Sequence, residues 1–552
     1  MSGTKQVRLG DFNVQPRMLV IAAWAVPVGA LGAGAAYVLL KLIGLTTNAV
    51  FYQRLDTSLV APGAVHHPWP LVLLAPVLGG LVIGLMARYG SEKIRGHGMP
   101  EAIEAILTGG SRIQPKVAVL KPISAAISIG SGGPFGAEGP IIMTGGAIGS
   151  ILAQHLRLTA DERKTLLVAG AAAGMAATFN SPLAAVLLAV ELLLFEWRPR
   201  SFVPVVAAVA VATVVRGPLI GSGPIFPVPH SDVHIAWTAQ ALSVVVGLSG
   251  AFVALGATWL VYFAEDLFRR LPIHWMWWPA LGGLVIGLGG LVEPRALGVG
   301  YDVIDQLLTG RATIGLIVGI LVVKTLIWSL SLGSGTSGGV LAPVFMIGGA
   351  LGAALGLVLP GVFPGFWAML GLAAVVGGVM RSPLTGVVFT LELTHAWDAL
   401  LPLLIASSAA YAVSVLVLQR SVLTEKIARR GLHLTRDYAT DPLETFFAAE
   451  VMRTSPEAMA AAHRLAADGA HHVVGERDTL RHVAYVFAEH GHGGAAVLGE
   501  EGAVVGYIDV QSLLEARRHD LTEATEREQV FTTPLGVGRS GSRPAVAGPG
   551  RR

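Results

Sequence analysis

The chain carries an internal repeat that divides most of it into two related halves. The stretch SIGSGGPFGAEGPIIMTGGAIG begins at Ser128, and SLGSGTSGGVLAPVFMIGGALG begins at Ser331, 203 residues later. Aligned without gaps, the two stretches share several glycines, a proline and a methionine, and Gly136 falls on Gly339. Agreement over this length indicates that the two regions are homologous.

Two further pairs of stretches occur in the same order at nearly the same spacing. SPLAAVLLAVEL and SPLTGVVFTLEL lie 201 residues apart, so that Glu191 falls on Glu392. A weaker pair, GHGMPEAIEAILTG and GVGYDVIDQLLTG, aligns with a slip of one residue. The three pairs together predict two homologous halves, at about 18–215 and 237–419.

The composition places these halves in a membrane. Apolar segments fill the chain from Met18 to about Leu418, and several reach the roughly 20 residues that span a bilayer. Only 14% of the residues are charged, against about 25% in soluble domains. The net charge of +3 is too small to argue for a nucleic-acid partner, and the absence of cysteine excludes a disulfide framework. We therefore expect an all-α polytopic membrane protein.

Some of the apolar segments are short and interrupted by glycine and proline. Examples are Pro140 to Ala153 and Val340 to Leu359. Segments of this kind indicate helices that stop inside the membrane, which is tolerated only where the irregular backbone is buried or lines a cavity. In transporters built from repeats, such helix ends form the substrate site between the halves. The repeat by itself leaves open whether the halves are parallel or inverted.

The stretch that begins at Ser128 and contains Glu138 has the features of an anion site. Gly139-Pro140 reads as a helix start, where proline is favoured and free N–H groups and the helix dipole attract negative charge. The related stretch would bring a second helix start, with Leu341 at the position of Glu138. Only one half therefore supplies a carboxylate, which would act as a tethered anion that competes for the site.

Protonation offers a way to release that carboxylate. Burial favours the neutral form of a carboxyl group unless hydrogen-bond donors hold the charged form. An ionised Glu138 can occupy the pocket, and a protonated one can leave it and admit a free anion. Ionisable residues inside a membrane domain are functional candidates by default. We expect Glu138 to be the gate.

Three short motifs in the chain resemble the anion-site motifs of the CLC chloride channel and transporter family. They are GHGMP from Gly96, GAEGP from Gly136 and GGVLAP from Gly338, where the family usually has GSGIP, GREGP and GxFxP. Their order and spacing also fit the family, and the resemblance covers about residues 18–431. It implies two inverted halves with broken helices, a homodimer with one pore per subunit, and both termini in the cytoplasm.

The resemblance also implies roles for individual residues. Glu138 matches the gating glutamate, and the backbone N–H groups of Val340 and Leu341 match central anion contacts. Gly98 and Gly139 belong to the matching motifs and are further anion-binding candidates. His97 stands where the family usually has a pore serine, so its imidazole adds a candidate proton carrier next to Glu138.

Two departures from the family pattern concern the mechanism. Leu423 falls where the family usually has a pore tyrosine, so the inner anion site loses a hydroxyl donor. Leu192 falls where the antiporters have an inner proton glutamate, which argues against coupled proton exchange. Glu191, beside it, is expected to have a structural role at a helix end, as is Glu392. The departures favour a channel or a loosely proton-coupled transporter.

The end of the chain resembles one module of the cystathionine-β-synthase (CBS) type. Its AAVLG and AVVGYI segments predict two strands of a small α/β cytoplasmic domain. Asp509 and Ser512 depart from the nucleotide-binding form of the module, so we expect no cofactor, with adenine nucleotide as the alternative. A second, degenerate module is a further expectation around Val451 to Val474.

The expected domain order follows from these assignments. A cytoplasmic N-terminal segment spans 1–17, the CLC-type membrane domain spans 18–431 with an exit helix at 419–431, the CBS-like domain spans 432–532, and a disordered tail spans 533–552.

We expect the chain to move chloride or a similar small anion across the plasma membrane, with protons as an alternative second ion. A strict chloride/proton antiporter is the second hypothesis. A non-conducting membrane sensor with a ligand-binding tail is the third. No HExxH motif is present and no metal site is expected, so we expect no enzyme and assign neither a catalytic residue nor a metal ligand.

Overall fold

A computed structural model describes residues 16–108, 110–228, 235–431, 443, 446–469 and 472–518. The chain divides into two units, Met1–Arg436 and Asp437–Arg552, each with its own hydrophobic core. Nearly all of the expected N-terminal segment, and the expected tail from residue 533, lie outside the described residues. The domain boundaries named above stay predictions.

The first half of the membrane unit consists of eight helices among the described residues. Most begin at or next to a proline, which suits the first helical turn because the missing N–H would have no partner there. Their bounds are α1 Arg17–Phe51, α2 Trp69–Tyr89, α3 Met99–Leu107, α4 Pro115–Gly130, α5 Glu138–Gln154, α6 Ala160–Phe179, α7 Pro182–Leu188 and α8 Pro199–Ile220.

The second half repeats this order. Its helices are α9 Trp237–Arg269, α10 Trp278–Val292, α11 Tyr301–Leu308, α12 Ile314–Gly319, α13 Thr325–Gly333, α14 Leu341–Gly356, α15 Phe366–Met380, α16 Pro383–Thr394, α17 Leu400–Val417 and the short α18 Thr424–Ala428. A π-helical turn, Ile320–Lys324, joins α12 to α13. The expected exit helix at 419–431 is therefore reduced to α18, because Ser421 and Thr424 cap a new start there.

Several helices are long and apolar enough to cross a membrane, which agrees with the expected multi-pass architecture. Seven stretches of the described residues meet this description. They are Arg17–Phe51, Trp69–Tyr89, Pro199–Ile220, Trp237–Arg269, Trp275–Val292, Ile314–Gly333 and Trp397–Val417. Other apolar helices, such as α14 and α16, are shorter than a span, as expected for helices that end inside a membrane domain.

The two halves are inverted with respect to each other. Helices α2 and α10 occupy equivalent places in the repeat, yet they pack antiparallel. A Cβ atom at Gly80 would lie 2.2 Å from the Pro279 carbonyl oxygen, and one at Gly283 would lie 2.2 Å from that of Pro76. Because 76 and 279 are repeat mates, as are 80 and 283, the two contacts are the same contact made twice. Such reciprocity is the sign of a two-fold axis, here in the membrane plane.

The two-fold axis passes between the first pair of repeated stretches, at Gly136 and Gly339. Gly339 donates its N–H to the Gly136 carbonyl at 2.8 Å, and Gly136 donates to the Gly339 carbonyl at 3.4 Å. Each glycine thus bonds to its own repeat mate. The helices that follow them, α5 and α14, consequently start next to each other from opposite halves.

The repeated glutamates close the ends of two short helices across the same axis. The carboxylate of Glu392 accepts from the N–H groups of Leu183 at 2.9 Å and Ala184 at 2.8 Å, at the start of α7. The carboxylate of Glu191 accepts from the N–H of Thr385 at 3.0 Å and from its hydroxyl at 2.5 Å, at the start of α16. Both glutamates thus have the expected helix-end role.

The second unit is a small α/β domain. Strands β1 Val473–Gly475, β2 Gly494–Leu498 and β3 Val504–Asp509 form one sheet in that order, with β1 parallel and β3 antiparallel to β2. The helices are α19 Ala448–Val451, α20 Pro456–Asp468, α21 Leu480–His490 and α22 at residues 510–518.

This sheet corrects one expectation about the second unit. The described part of the stretch from Val451 to Val474 contributes α20 to this domain and part of β1 to its sheet, so it belongs to the same domain as the expected module instead of forming a second one. Asp509 caps α22 by accepting from the Ser512 N–H at 2.9 Å, and it lies 3.4 Å from the Arg453 guanidinium.

Candidate functional site

Three glycine-rich segments from different parts of the sequence meet at the interface between the halves. Gly338 donates its N–H to the Gly96 carbonyl at 3.4 Å, which joins the first motif to the third. Gly136 pairs with Gly339, which joins the second to the third. A Cβ at Gly139 would lie 2.0 Å from the His97 carbonyl oxygen, so the second motif also touches the first. The structure therefore brings the predicted motifs together.

Glu138 lies at this meeting point. Its side chain is almost fully buried, and one carboxylate oxygen, Oε1, accepts a hydrogen bond from the Leu341 N–H, the first residue of α14. That N–H has no partner within its own helix, because the first turn of any helix leaves its donors free. The positive end of the α14 dipole adds to the attraction. The carboxylate thus lies at the start of α14.

Two glycines make room for this carboxylate. A Cβ at Gly136 would lie 1.9 Å from the Glu138 Oε2, and one at Gly339 would lie 2.2 Å from Oε1. Real Cβ atoms do not approach other atoms this closely. The glycines at the repeat axis therefore serve two purposes, the backbone pairing of the halves and the pocket for the Glu138 side chain.

His97 and Gly98 flank the same site at the start of α3. Gly98 has φ +84°, a left-handed conformation that favours glycine, and it directly precedes the helix. The His97 side chain is 5% exposed, and among the described residues its Nδ1 has no hydrogen-bond partner. A buried ring nitrogen without a partner is available to a ligand.

A cavity of about 450 Å³ opens from His97 toward one face of the membrane unit, where α2 ends and α10 begins. We call it the first cavity. Its lining includes six basic and three acidic side chains, so its potential favours anions. These are Lys93, Arg95, Arg269, Lys426, Arg429 and Arg430, with Glu92, Glu101 and Glu265.

Ion pairs fix the basic side chains of this cavity. Glu101 lies in the first turn of α3. Its Oε1 atom is 3.1 Å from the Lys426 ammonium and 3.0 Å from the Arg430 guanidinium. Arg429 binds Asp266 in a two-point contact, with Nη1–Oδ1 at 2.5 Å and Nη2–Oδ2 at 3.2 Å. The segment around α18 is thereby tied to α3 and α9.

Two buried lysines stabilise the loops that carry the site, and the sequence analysis missed both. The Lys121 ammonium donates to the carbonyls of Ile94 at 2.8 Å and Gly96 at 2.7 Å. Lys324, 203 residues later, donates to the carbonyls of Ala296 and Gly298, each at 2.8 Å. The sequence did contain a signal for this role, because a lysine within an apolar segment recurs at the repeat spacing.

A second cavity of about 110 Å³ lies toward the opposite face. It is lined by the segment Leu59 to Pro62, which precedes α2, and by Gly298 to Asp302 at the start of α11. Gly298 and Gly300 are the repeat mates of Gly96 and Gly98, so inversion sends the two related loops to opposite faces.

The remaining predicted site residues lie close by. Val340 is buried and immediately precedes α14, next to the N–H that holds Glu138. Leu423 is buried beside Val422, which lines the first cavity, and the Tyr262 hydroxyl donates to the Val422 carbonyl. Leu192 is fully buried in the core. The Tyr262 side chain of α9 thus contacts the residue before Leu423, a contact that only the fold reveals.

The family model described as "Voltage gated chloride channel" matches residues 79–415, more than half of the chain. The chain belongs to this family, as the three motifs indicated. Curated relatives agree with the match. A putative chloride channel protein ClcB-like from Ralstonia nicotianae is 28% identical over 68% of this chain and 89% of its own length. The H(+)/Cl(-) exchange transporter ClcA from Citrobacter koseri is 30% identical over 61% of this chain and 74% of its own.

Solved structures show the same fold. The structure of a slow cyanobacterial Cl-/H+ antiporter matches 76% of this chain and 99% of its own, with a TM-score of 0.63 and 23% identity. A CLC-type fluoride/proton antiporter matches 73% of this chain and 97% of its own, with a TM-score of 0.62 and 21% identity. The fold is therefore that of a CLC protein, and the chain is an integral multi-pass membrane protein related to anion transporters.

Proposed function

We propose that the chain transports chloride or a similar small anion through a pore in each subunit, gated by protonation of Glu138. The observation that carries the proposal is the Glu138 carboxylate bound to the Leu341 N–H, at the start of α14. An anion displaces this carboxylate once it is protonated, because a neutral carboxyl group has less attraction for the helix end. His97, Gly98, Gly139, Val340, Leu341 and Leu423 are the proposed contacts of the anion.

The two cavities supply the access routes in this proposal. Anions collect in the first cavity, whose lining is mainly basic, and pass His97 to reach Glu138. The basic residues also suggest the orientation. Arg269, Lys426, Arg429 and Arg430 lie at one face, and positive residues favour the cytoplasmic side. We assign that face to the cytoplasm, both termini to the same side, the protein to the plasma membrane, and the assembly to a homodimer.

Strict chloride/proton antiport is a second candidate, favoured by the names of the relatives. The Citrobacter koseri relative is called an H(+)/Cl(-) exchange transporter, and two solved neighbours are called antiporters. Leu192 and Leu423 favour channel-like or loosely coupled transport instead, since neither side chain carries a proton or donates a hydrogen bond. In either mechanism Glu138 and His97 form the proposed proton route. A non-conducting sensor is the remaining alternative, with a ligand at the second unit.

Reconstituted protein tests the proposal directly. Proteoliposomes loaded with chloride would report anion efflux and proton uptake together, for the wild type and for Glu138→Gln, which keeps the shape of the side chain but cannot ionise. Glu457→Gln, at an exposed position of the second unit, is the matched control. We expect flux that rises as the pH falls in the wild type and in the control, and flux without that pH dependence in Glu138→Gln.

The outcomes separate the candidates. Efflux with proton uptake that Glu138→Gln abolishes would establish the antiporter. Efflux without proton movement, still altered by Glu138→Gln, would establish the gated channel. An absence of anion flux from folded wild-type protein, for chloride, nitrate, bromide and fluoride alike, would reject transport and leave the sensor.

A further inference from the structure

Two buried polar atoms of the membrane unit have no hydrogen-bond partner among the described residues. One is the Oε2 atom of Glu138, and the other is the hydroxyl of Tyr301, the first residue of α11. Leaving a buried polar group unpaired is unfavourable, so each atom calls for a partner in some state of the protein. The two atoms come from opposite halves of the repeat, and α11, which begins at Tyr301, packs against α14, whose first N–H binds Glu138.

The surroundings of Tyr301 fix its ring and leave only its hydroxyl available. The ring lies edge-on to Phe179 at 6.4 Å and to Phe226 at 5.9 Å between ring centres. Gly300 directly precedes Tyr301, and a Cβ at Gly300 would lie 2.3 Å from the Met346 sulfur of α14. The start of α11 is therefore packed against α14, the helix whose first N–H binds the Glu138 carboxylate. Tyr301 also lines the second cavity.

We propose that the Tyr301 hydroxyl is the resting point of the Glu138 side chain after it leaves the α14 helix end. The protonated carboxyl group turns toward the second cavity, where the hydroxyl and the freed carboxyl pair by a hydrogen bond. Tyr301 is then a positioning residue that stabilises the open state. The inference rests on the proposed function, because it presumes that Glu138 moves when it is protonated.

The two lysines around this pair have partners of their own. On the side of α11, Lys324 is bonded to two carbonyls, and Asp302, the second residue of α11, is the charged residue beside Tyr301. On the side of the first cavity, Lys121 is bonded to the carbonyls of Ile94 and Gly96, with His97 beyond it. The last turn of α6 and the first turn of α14 contribute no titratable side chain. Glu138 is thus the group whose titration Tyr301 would influence.

The pH profile of anion flux tests the inference, with Tyr301→Phe as the variant. The substitution removes the hydroxyl and keeps the ring contacts. If the hydroxyl stabilises the protonated, displaced carboxyl group by one hydrogen bond, its loss weakens the open state by about three- to tenfold. The midpoint of acid activation should then fall by about half to one pH unit. Tyr411→Phe, a tyrosine on α17 with an exposed side chain, should leave the midpoint unchanged.

A second background separates a contact with Glu138 from a contact with the anion. In Glu138→Ala, no carboxyl group remains for the hydroxyl to hold, so adding Tyr301→Phe should change neither flux nor its pH profile. An equal effect of Tyr301→Phe in both backgrounds would overturn the inference, because the hydroxyl would then act on the anion. A midpoint of acid activation in Tyr301→Phe equal to that of the wild type would overturn it as well.

Infrared difference spectra between high and low pH provide a readout that does not depend on transport. The protonated carboxyl band of Glu138, identified by its loss in Glu138→Gln, should move to higher wavenumber in Tyr301→Phe as the hydrogen bond is lost. An unmoved band would contradict the inference. If instead wild-type flux does not depend on Glu138 at all, the proposed function fails, which the flux of Glu138→Gln reveals separately.

Discussion

At the scale of single residues, the candidate gate depends on the missing side chain of Gly136 as much as on the carboxylate of Glu138. The Glu138 carboxylate fits against Gly136 because that residue has no Cβ. The three atoms that a Cβ at Gly136 would meet most closely all belong to the Glu138 carboxyl group, at 1.9 to 2.7 Å. An alanine at position 136 would therefore collide with the carboxylate before any other group.

Gly136→Ala should accordingly expel the Glu138 side chain from the helix end. A charge-assisted hydrogen bond to the Leu341 N–H is lost, and the equilibrium shifts toward the open state by about 10- to 100-fold. Anion efflux at neutral pH should rise toward that of Glu138→Ala, and acid activation should disappear. Efflux from proteoliposomes across a pH series is the measurement.

Gly34→Ala is the matched control for this substitution. Gly34 lies in α1, and a Cβ there would meet no atom within 4 Å, so the variant should keep the wild-type pH profile. The double variant Gly136→Ala, Glu138→Ala should behave as Glu138→Ala alone. Acid activation of wild-type size in Gly136→Ala would show that Glu138 does not need this pocket.

At the scale of helices, the repeat axis is stabilised by carboxylates as well as by glycines. Glu392 and Glu191 each bind the start of a short helix of the other half. These starts carry N–H groups without partners in their own helices, and they lie inside the membrane unit, where water does not replace the missing acceptors. The glutamates therefore join the halves at the same time as they complete α7 and α16.

Glu392→Gln should lower the stability of the membrane unit by about 1–3 kcal/mol. The amide keeps one acceptor oxygen, but its NH₂ group faces an N–H donor at the start of α7. Thermal unfolding in detergent would show a lower midpoint than for the wild type. Glu191→Gln should behave in the same direction, because it changes the equivalent contact.

The exposed variant Glu457→Gln serves again as the control and should leave the midpoint of the membrane unit unchanged. An unchanged midpoint in both Glu392→Gln and Glu191→Gln would mean that the caps contribute little. An altered ratio of protons to anions in Glu191→Gln, with normal stability, would assign that residue to transport in place of structure.

At the scale of the whole molecule, the chain consists of two units with separate cores. The core of the second unit is formed by residues such as Leu480, Val483 and Ile508, and the candidate site lies entirely in the first unit. No residue of the second unit is needed to complete the contacts of Glu138 described above. The membrane unit therefore contains every proposed element of the anion route.

Truncation after Arg436 should accordingly leave anion flux and its acid activation intact. The reason is that both cavities, Glu138 and the α14 helix end all remain. Efflux assays of the truncated and full chains, with size-exclusion chromatography to check assembly, would measure this. Adding ATP to the full chain should also have no effect, since Asp509 and Ser512 bond to each other at the start of α22.

Loss of flux from a truncated chain that still assembles would contradict this prediction. It would give the second unit a direct part in transport. A response of the full chain to ATP would restore the nucleotide alternative for the CBS-like module.

Much of the molecule could be predicted from local patterns. Apolar segments of spanning length follow from composition, and helix starts follow from proline and glycine. The repeat marked Glu138 as the carboxylate that only one half carries. Exposed or short elements were harder to predict. The exit helix is shorter than expected because Ser421 and Thr424 cap a new helix start, and apolar periodicity does not predict side-chain capping.

The sequence by itself determined the membrane class, the two homologous halves, the family and the candidate gate, since each depends on residue types at fixed spacings along the chain. The repeat left open whether the halves are parallel or inverted, and the resemblance to the family predicted inversion. The tertiary structure shows it directly, through the antiparallel packing of α2 against α10. It also decided which residues meet: Lys121 at the Ser337 hydroxyl, and Glu138 at the Leu341 N–H. Contacts between residues about 200 positions apart depend on the direction in which each half crosses the membrane, and spacing does not encode that direction.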